Sequence, residues 1–136
     1  MLKYRYTLLL ILAVLGTTLA CGVFVEPYTL TVPEMGFCSD WDEVNNKPIG
    51  VSDVFPQDTP RIYMFAYVKT DEELLYTVLW SDEDRFLYQH LIRHKGEGYI
   101  VAWIAPKDGQ KFPTGEYTAK LVLGKTTARS ASFRVE

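Results

Sequence analysis

The chain contains few of the residues that most often carry out chemistry in proteins. Its 136 residues include two cysteines, Cys21 and Cys38, and two histidines, His90 and His94. Two distant thiols cannot form a cysteine-based metal site. The sequence also lacks a glycine-rich phosphate loop, a G-x-S-x-G nucleophile motif and an HExxH motif. We therefore predict no catalytic residues, no cofactor and no enzyme activity.

Positive charge is also scarce. The chain has 14 lysines and arginines against 17 acidic residues, a net charge of −3, and removal of residues 1–20 would leave −5. An acidic surface argues against nucleic acid as a partner, and against adhesion to anionic lipid by charge alone. Because apolar residues make up 48% of the chain, disorder is excluded.

The N-terminus carries the pattern of an export signal. Lys3 and Arg5 precede the apolar run Leu8–Leu15, and small residues then lead to Cys21. This order resembles the signal of bacterial lipoproteins, in which the cysteine becomes the lipidated first residue. The resemblance implies lipidation of Cys21 and an extracytoplasmic, membrane-anchored domain in a bacterial cell envelope.

Two other interpretations of the N-terminus remain open. Cleavage after Ala20 without lipidation would give a secreted domain. Without cleavage, the nineteen uncharged residues Thr7–Val25 could span a membrane, with Lys3 and Arg5 held inside. All three interpretations place the folded part on the outer side.

The two cysteines separate these interpretations. If Cys21 carries lipid, Cys38 is an unpaired thiol in an oxidising compartment. If Cys21 is not lipidated, a Cys21–Cys38 disulfide that closes a short loop is expected.

The rest of the chain predicts an all-β sandwich. We assign residues 1–20 to a signal peptide, 21–47 to a tether and N-terminal extension, and 48–136 to one domain. Within the extension, residues 28–32 alternate like a strand that Pro33 stops. Phe86–Arg93 also fits a short helix, although a strand is favoured. Seven runs have strand character and are separated by turn residues: Ile49–Val54, Arg61–Val68, Leu74–Ser81, Phe86–Arg93, Tyr99–Ala105, Glu116–Leu123 and Thr126–Val135.

Several residues resemble the structural positions of an immunoglobulin (Ig)-like fold. Gly115-Glu116-Tyr117 resembles a tyrosine corner, and Trp80 fits the buried tryptophan of the third Ig strand. The following segments resemble Ig-like modules of exported bacterial lipoproteins, a family without an assigned activity: Phe37–Asp40, Lys47-Pro48, Asp53–Pro56, Pro60–Tyr63, Trp80, Phe112–Tyr117 and Ser132–Val135, including Phe133. The resemblance implies a sandwich of about seven antiparallel strands and adds no chemistry.

Two sets of residues are candidates for binding. Tyr63, Phe65, Tyr67 and Trp103 would form an exposed aromatic patch for a protein partner, unless residues 22–48 cover it. His90 and His94 are weak metal candidates, because on a strand they lie about 13 Å apart. The acidic turns at residues 71–73 and 82–84 lack the order of a calcium loop.

The sequence thus favours a non-catalytic, membrane-tethered Ig-like domain that acts through protein or cell-envelope contacts. The alternative is an envelope protein that binds a small ligand or a metal through His90, His94 and nearby carboxylates.

Overall fold

The computed structural model describes residues 29–136, which form two β-sheets packed face to face. This part of the chain contains nine strands: β1 (Thr31–Asp42), β2 (Lys47–Val51), β3 (Val54–Phe55), β4 (Ile62–Lys69), β5 (Glu73–Asp82), β6 (Arg85–Lys95), β7 (Gly98–Ile104), β8 (Gly115–Leu123) and β9 (Thr126–Val135). It has no helix long and apolar enough to cross a membrane.

The two sheets differ in size. One has four strands in the order β2-β1-β4-β7, and the other has five in the order β3-β9-β8-β5-β6. Neighbouring strands are antiparallel, except that β3 runs parallel to β9. The predicted all-β sandwich is confirmed, and Phe86–Arg93 lies within strand β6 rather than in a helix.

An aromatic cluster joins the two sheets. Phe37 on β1 packs against Phe133 on β9, with ring centroids 4.6 Å apart, and lies 6.2 Å from the ring of Trp80. Tyr117 stacks on Phe133 at 5.1 Å with an interplanar angle of 7°. All four side chains are at most 3% exposed. Strand alternation brings them inward, because each occupies an inner-face position of its strand.

The sandwich begins earlier than the sequence predicted. β1 starts at Thr31 and pairs with β4 through Cys38, so the expected domain start at residue 48 falls inside the β1–β2 hairpin. Pro33 does not end the strand. The register shifts between Thr31 and Glu34, and β2 pairs with β1 only from Cys38 onward, so proline removes no hydrogen bond to β2 there.

The predicted run Ile49–Val54 is two strands in different sheets. β2 ends at Val51, and the hydroxyl of Ser52 then bonds the backbone of Val54. This turn carries the chain across to β3, which pairs with the end of β9. The predicted signal peptide and Cys21 lie outside the described residues.

Candidate binding groove at the open edge of the sandwich

The unequal sheets leave one strand without a facing neighbour. β1 packs over β9 through Phe37 and Phe133, and counting outward from this pair places β7 over β5. β6 is one strand further out, and no described strand lies opposite it. We call the free edges of β6 and β7 the open edge.

The inner face of β6 is consequently exposed to solvent. Tyr88 and His90 pair with Trp80 and Val78, and residues paired across antiparallel strands share a face. Trp80 and Val78 are buried in the core, whereas Tyr88 is 56% exposed. Tyr88 is therefore an inner-face aromatic residue that remains exposed because no described strand lies opposite it.

A groove of about 780 Å³ occupies this position. One wall comes from the first half of β6, and the other comes from the end of β7 and the loop that follows it. The lining residues are Asp82, Arg85, Leu87, Tyr88, His90, Trp103, Ile104, Ala105, Pro106, Lys107, Gln110, Lys111, Phe112, Pro113 and Tyr117. This volume lies in the range of known ligand-binding clefts.

His90 is fixed by the core beneath it. The indole Nε1–H of Trp80 donates a hydrogen bond of 3.1 Å to Nδ1 of His90. The tautomer with the proton on Nε2 satisfies this bond, because Nδ1 must accept. Burial lowers the pKa of His90 from its usual range, so the neutral form is favoured in the folded protein.

The charge of the groove is opposite to that of the protein. Arg85, Lys107 and Lys111 line it, against the single carboxylate of Asp82. Arg85 pairs with Asp82 at 3.0 Å, whereas neither lysine forms an ion pair with any described residue. Two unpaired cations therefore face a site on a net-negative chain.

The loop wall is held by its own hydrogen bonds. The Tyr117 hydroxyl donates to the carbonyl of Pro113 at 2.6 Å, which is the bond of a tyrosine corner. The backbone carbonyl of Gln57 accepts a hydrogen bond from the amide of Phe112, and the side-chain amide of Gln57 donates one to the carbonyl of Phe112, both at 3.1 Å. The groove is thus bounded on this side by an anchored loop.

Gly115 is required where this loop enters β8. Its φ of +147° is a conformation that side chains rarely adopt. A Cβ there would make only an ordinary contact of 3.8 Å with Oδ1 of Asp82, so the backbone conformation and not the space requires glycine. Among the residues predicted as structural, Trp80, Tyr117 and Phe133 lie in the core, and Gly115 lies at this turn.

The four residues of the predicted aromatic patch share the outer face of the four-stranded sheet, where Trp103 pairs with Tyr63. Tyr63, Phe65 and Tyr67 lie on the outer face of the four-stranded sheet, where Phe65 is buried and the two tyrosines are half-buried. The ring of Phe65 lies over Gly36 of β1, whose hypothetical Cβ would be 2.9 Å from it. Trp103 is 43% exposed, has Arg61 over its ring at 4.3 Å, and lines the groove.

Cys38 is on this same outer face, paired with Tyr63, and is fully buried. Burial raises the pKa of its thiol to about 11. At neutral pH it is therefore protonated and unreactive. The Cys21 half of the alternative disulfide lies outside the described residues.

The weak metal candidates do not converge. His90 and His94 occupy positions four residues apart on strand β6, and His90 Nδ1 already accepts from Trp80. In residues 29–136, no group of three or more His, Cys, Asp or Glu side chains is placed to hold a metal ion. Of the predicted binding residues, the groove brings together His90 and Trp103.

Sequence reasoning missed the groove because it arises from a difference in strand number between the sheets. Leu87, Tyr88 and His90, which line it, lie in the run Phe86–Arg93 that also fits a short helix. The cations Lys107 and Lys111 lie outside all seven predicted strand runs.

Comparison with solved structures identifies the fold. An Ig-like protein from Pseudomonas aeruginosa has a TM-score of 0.55 at 10% identity, covering 79% of this chain and 97% of that chain. The C-terminal domain of Wzt scores 0.47 at 12% identity, covering 81% and 75%. A β-glucosidase from Listeria innocua scores 0.48 at 6% identity, covering 81% of this chain but 16% of its own. No protein-family model and no curated protein sequence matches this chain.

The first of these similarities confirms the predicted Ig-like class. The described chain is an Ig-like β-sandwich whose sheets contain four and five strands.

Proposed function

We propose that this protein is a non-catalytic, membrane-tethered domain of the bacterial cell envelope that binds a partner protein through the groove at its open edge. The observation that carries the proposal is the uncovered inner face of β6. Exposed aromatic side chains beside a preformed cleft are typical of protein-binding sites. Tyr88, which pairs with the buried Trp80, is 56% exposed on this inner face and lines the groove.

The position of the start of β1 relative to the groove supports a tethered arrangement. Leu30 and Val32 lie beside Leu123 and Thr126, at the end of the sandwich where β8 turns into β9. Tyr117, which lines the groove, is six residues from Leu123 along β8, or about 20 Å. A tether that joins β1 from Cys21 would therefore hold the groove at the far end, directed away from the membrane.

The tether itself follows from the lipoprotein-like signal. Residues 22–28 would span at most about 25 Å between lipidated Cys21 and the sandwich. The intact mass of the protein from its native membrane tests this part. We expect a chain that starts at Cys21 and carries a diacylglyceryl group. A chain that starts at Cys21, carries no lipid and has a mass two hydrogens below that of its reduced form would indicate the Cys21–Cys38 disulfide and a secreted domain.

Site-specific photocrosslinking tests the binding surface. A benzophenone amino acid replaces Leu87, which lines the groove, or Leu75, which is exposed on the outer face of the same sheet. In the full-length protein in its native membrane, we expect one discrete product from position 87 and none from position 75, with one partner identified in repeated experiments. Equal products from both positions, or none from position 87, would contradict a groove-directed function.

A second candidate is a small-ligand binding protein, and the groove volume of about 780 Å³ favours it. The groove offers a small ligand the imidazole of His90 and the carboxylate of Asp82, and its described lining residues include no serine, threonine or cysteine. Native mass spectrometry of the protein extracted in mild detergent tests this candidate. A stoichiometric small-molecule adduct that is lost in a Tyr88→Ala variant would favour it over a protein partner.

A further inference from the structure

We propose, resting on the function above, that the groove binds an extended acidic segment of the partner, which adds to the free edge of β7 as the fifth strand of the four-stranded sheet. This binding mode depends on three features of the open edge: the free backbone of β7, the exposed inner face of β6, and the unpaired cations of the loop that follows β7.

The first feature is a free strand edge with the right neighbours. β7 pairs with β4 from Gly98 to Ile104, and no described strand pairs with its other side. Gly96 and Glu97 join its start to β6, and the His94 ring lies against Gly98, so the free part of this edge lies toward Ile104. Such an edge presents unpaired amide and carbonyl groups to an added strand. Since β6 lies one position beyond β5, a strand beside β7 would lie directly over β6.

The second feature is the surface that such a strand would cover. Tyr88 and Leu87 form the β6 wall, and Trp103 stands at the end of β7. In an added strand, alternate side chains point to one face, so every second residue would be directed into the groove. Apolar side chains at these positions would bury Tyr88 as its partner Trp80 is buried by the facing sheet.

The third feature selects the charge of the segment. Lys107 and Lys111 lie in the loop that continues from β7, and neither has an ion-pair partner among the described residues. An extended segment beside β7 would pass this loop at the groove end. Carboxylates on the segment would complement these lysines, and a basic segment would be repelled.

The charge also favours a partner over a second copy of this chain. A copy would have to present an acidic, extended edge, but its own open edge carries the same two lysines. A carbohydrate could carry the carboxylates, but it would not use the free amides of β7 in a strand-like register. These two occupants are therefore separate outcomes of the test.

The test measures binding of a defined peptide to the full chain purified in detergent. The probe is a fluorescent ten-residue peptide that alternates valine and glutamate, and the matched peptide alternates valine and lysine. We expect the acidic peptide to bind at least about tenfold more tightly than the basic one. Equal binding of the two peptides would overturn the inference.

Charge-reversal variants locate the contact. Lys107→Glu combined with Lys111→Glu should weaken the acidic peptide at least about tenfold. The control is Lys120→Glu, an exposed lysine on β8 that does not line the groove. It should change binding less than twofold. All three lysines are exposed, so the variants should fold, and equal unfolding midpoints check this.

Amide hydrogen exchange identifies the binding mode. Binding of the acidic peptide should newly protect alternate amides of β7, because an added strand bonds every second residue. Binding without β7 protection, or displacement of the peptide by an oligomer of uronic acid, would overturn strand addition. Dimerisation that the peptide abolishes would assign the groove to a second copy and also overturn it.

The outcome is separable from that of the proposed function. If position 87 crosslinks to a partner but the acidic peptide does not bind, the groove remains a protein-binding site and the inference on peptide chemistry is wrong. If the peptide binds but position 87 yields no partner in the membrane, the proposed function is wrong.

Discussion

The two lateral edges of the sandwich use similar apolar residues in opposite ways. At the edge formed by β3, Phe55 is 3% exposed, and its ring packs edge-on against Phe133 at 5.7 Å. At the open edge, the inner-face Tyr88 is 56% exposed. The difference follows from strand pairing. β3 pairs with β9 and brings Phe55 over the core, whereas nothing described covers β6.

This comparison separates residues that stabilise the fold from residues available to a partner. Phe133 contacts other aromatic rings of the core on several sides. Tyr88 on the inner face of the edge strand contacts one described ring, that of His90 at 4.8 Å. We therefore expect substitutions at the two edges to differ sharply in their effect on the free energy of unfolding.

The largest expected effect is in the core. Phe133→Ala should lower the free energy of unfolding by about 3–5 kcal/mol, because it removes a large buried side chain and leaves a cavity. Tyr88→Ala, at the inner face of β6, should change it by less than about 1 kcal/mol. Urea unfolding of the mature chain, followed by tryptophan fluorescence, measures both. Similar losses in the two variants would show that β6 is covered.

The second prediction concerns the covered outer face of the four-stranded sheet. Since the pKa of Cys38 is raised to about 11, only about one thiol in a thousand is ionised at pH 8. Labelling of Cys38 by iodoacetamide should be at least about 100-fold slower in the native chain than in urea. Cysteine treated in the same buffers corrects for the effect of urea. Rapid native labelling, or the absence of any thiol in urea, would contradict this account.

A smaller effect is expected at the tyrosine corner. Tyr117→Phe removes the hydroxyl that donates to Pro113 and should cost about 0.5–1.5 kcal/mol of unfolding free energy. Tyr88→Phe is the matched control, because no hydrogen bond from its exposed hydroxyl is seen, and it should be nearly neutral. Thermal unfolding of the two variants decides this, and an unchanged Tyr117→Phe protein would argue against an anchored loop.

The smallest effect is the pH dependence contributed by His90. Its pKa is lower in the folded than in the unfolded chain, so the unfolded state binds more protons and stability decreases as pH falls below about 6.5. Protonation of Nδ1 also removes the bond from Trp80. Unfolding free energies measured from pH 7.5 to 5 should fall less steeply in His90→Gln. An identical slope in the variant would contradict a depressed pKa.

Much of the fold could be predicted because its signals are local. Alternating apolar residues identified the last two strands, and the Tyr117 motif indicated the Ig-like corner. The run around Met64 is apolar on both faces, as expected for a strand that has β1 on one side and β7 on the other. These patterns depend on which side chains face the core, and a sequence records this directly.

The missed features depend on pairing between distant segments. Pro33 marks the end of a strand by local rules, but its position beyond the end of β2 lets β1 continue. The burial of Phe65 requires Gly36 to lie beside it in β1. Likewise, the groove exists because one sheet has one strand fewer than the other, and no local sequence pattern indicates how many strands each sheet has.

Amide hydrogen exchange along β6 and β7 of the free protein tests the open edge most directly. An edge strand bonds only every second amide to its single neighbour. We therefore predict alternating fast and slow exchange along β6 and β7, and continuous protection along β4, β5 and β8 where both neighbours pair. Continuous protection along β7 in the free protein would show that its edge is already covered, and would contradict the account of an open binding groove.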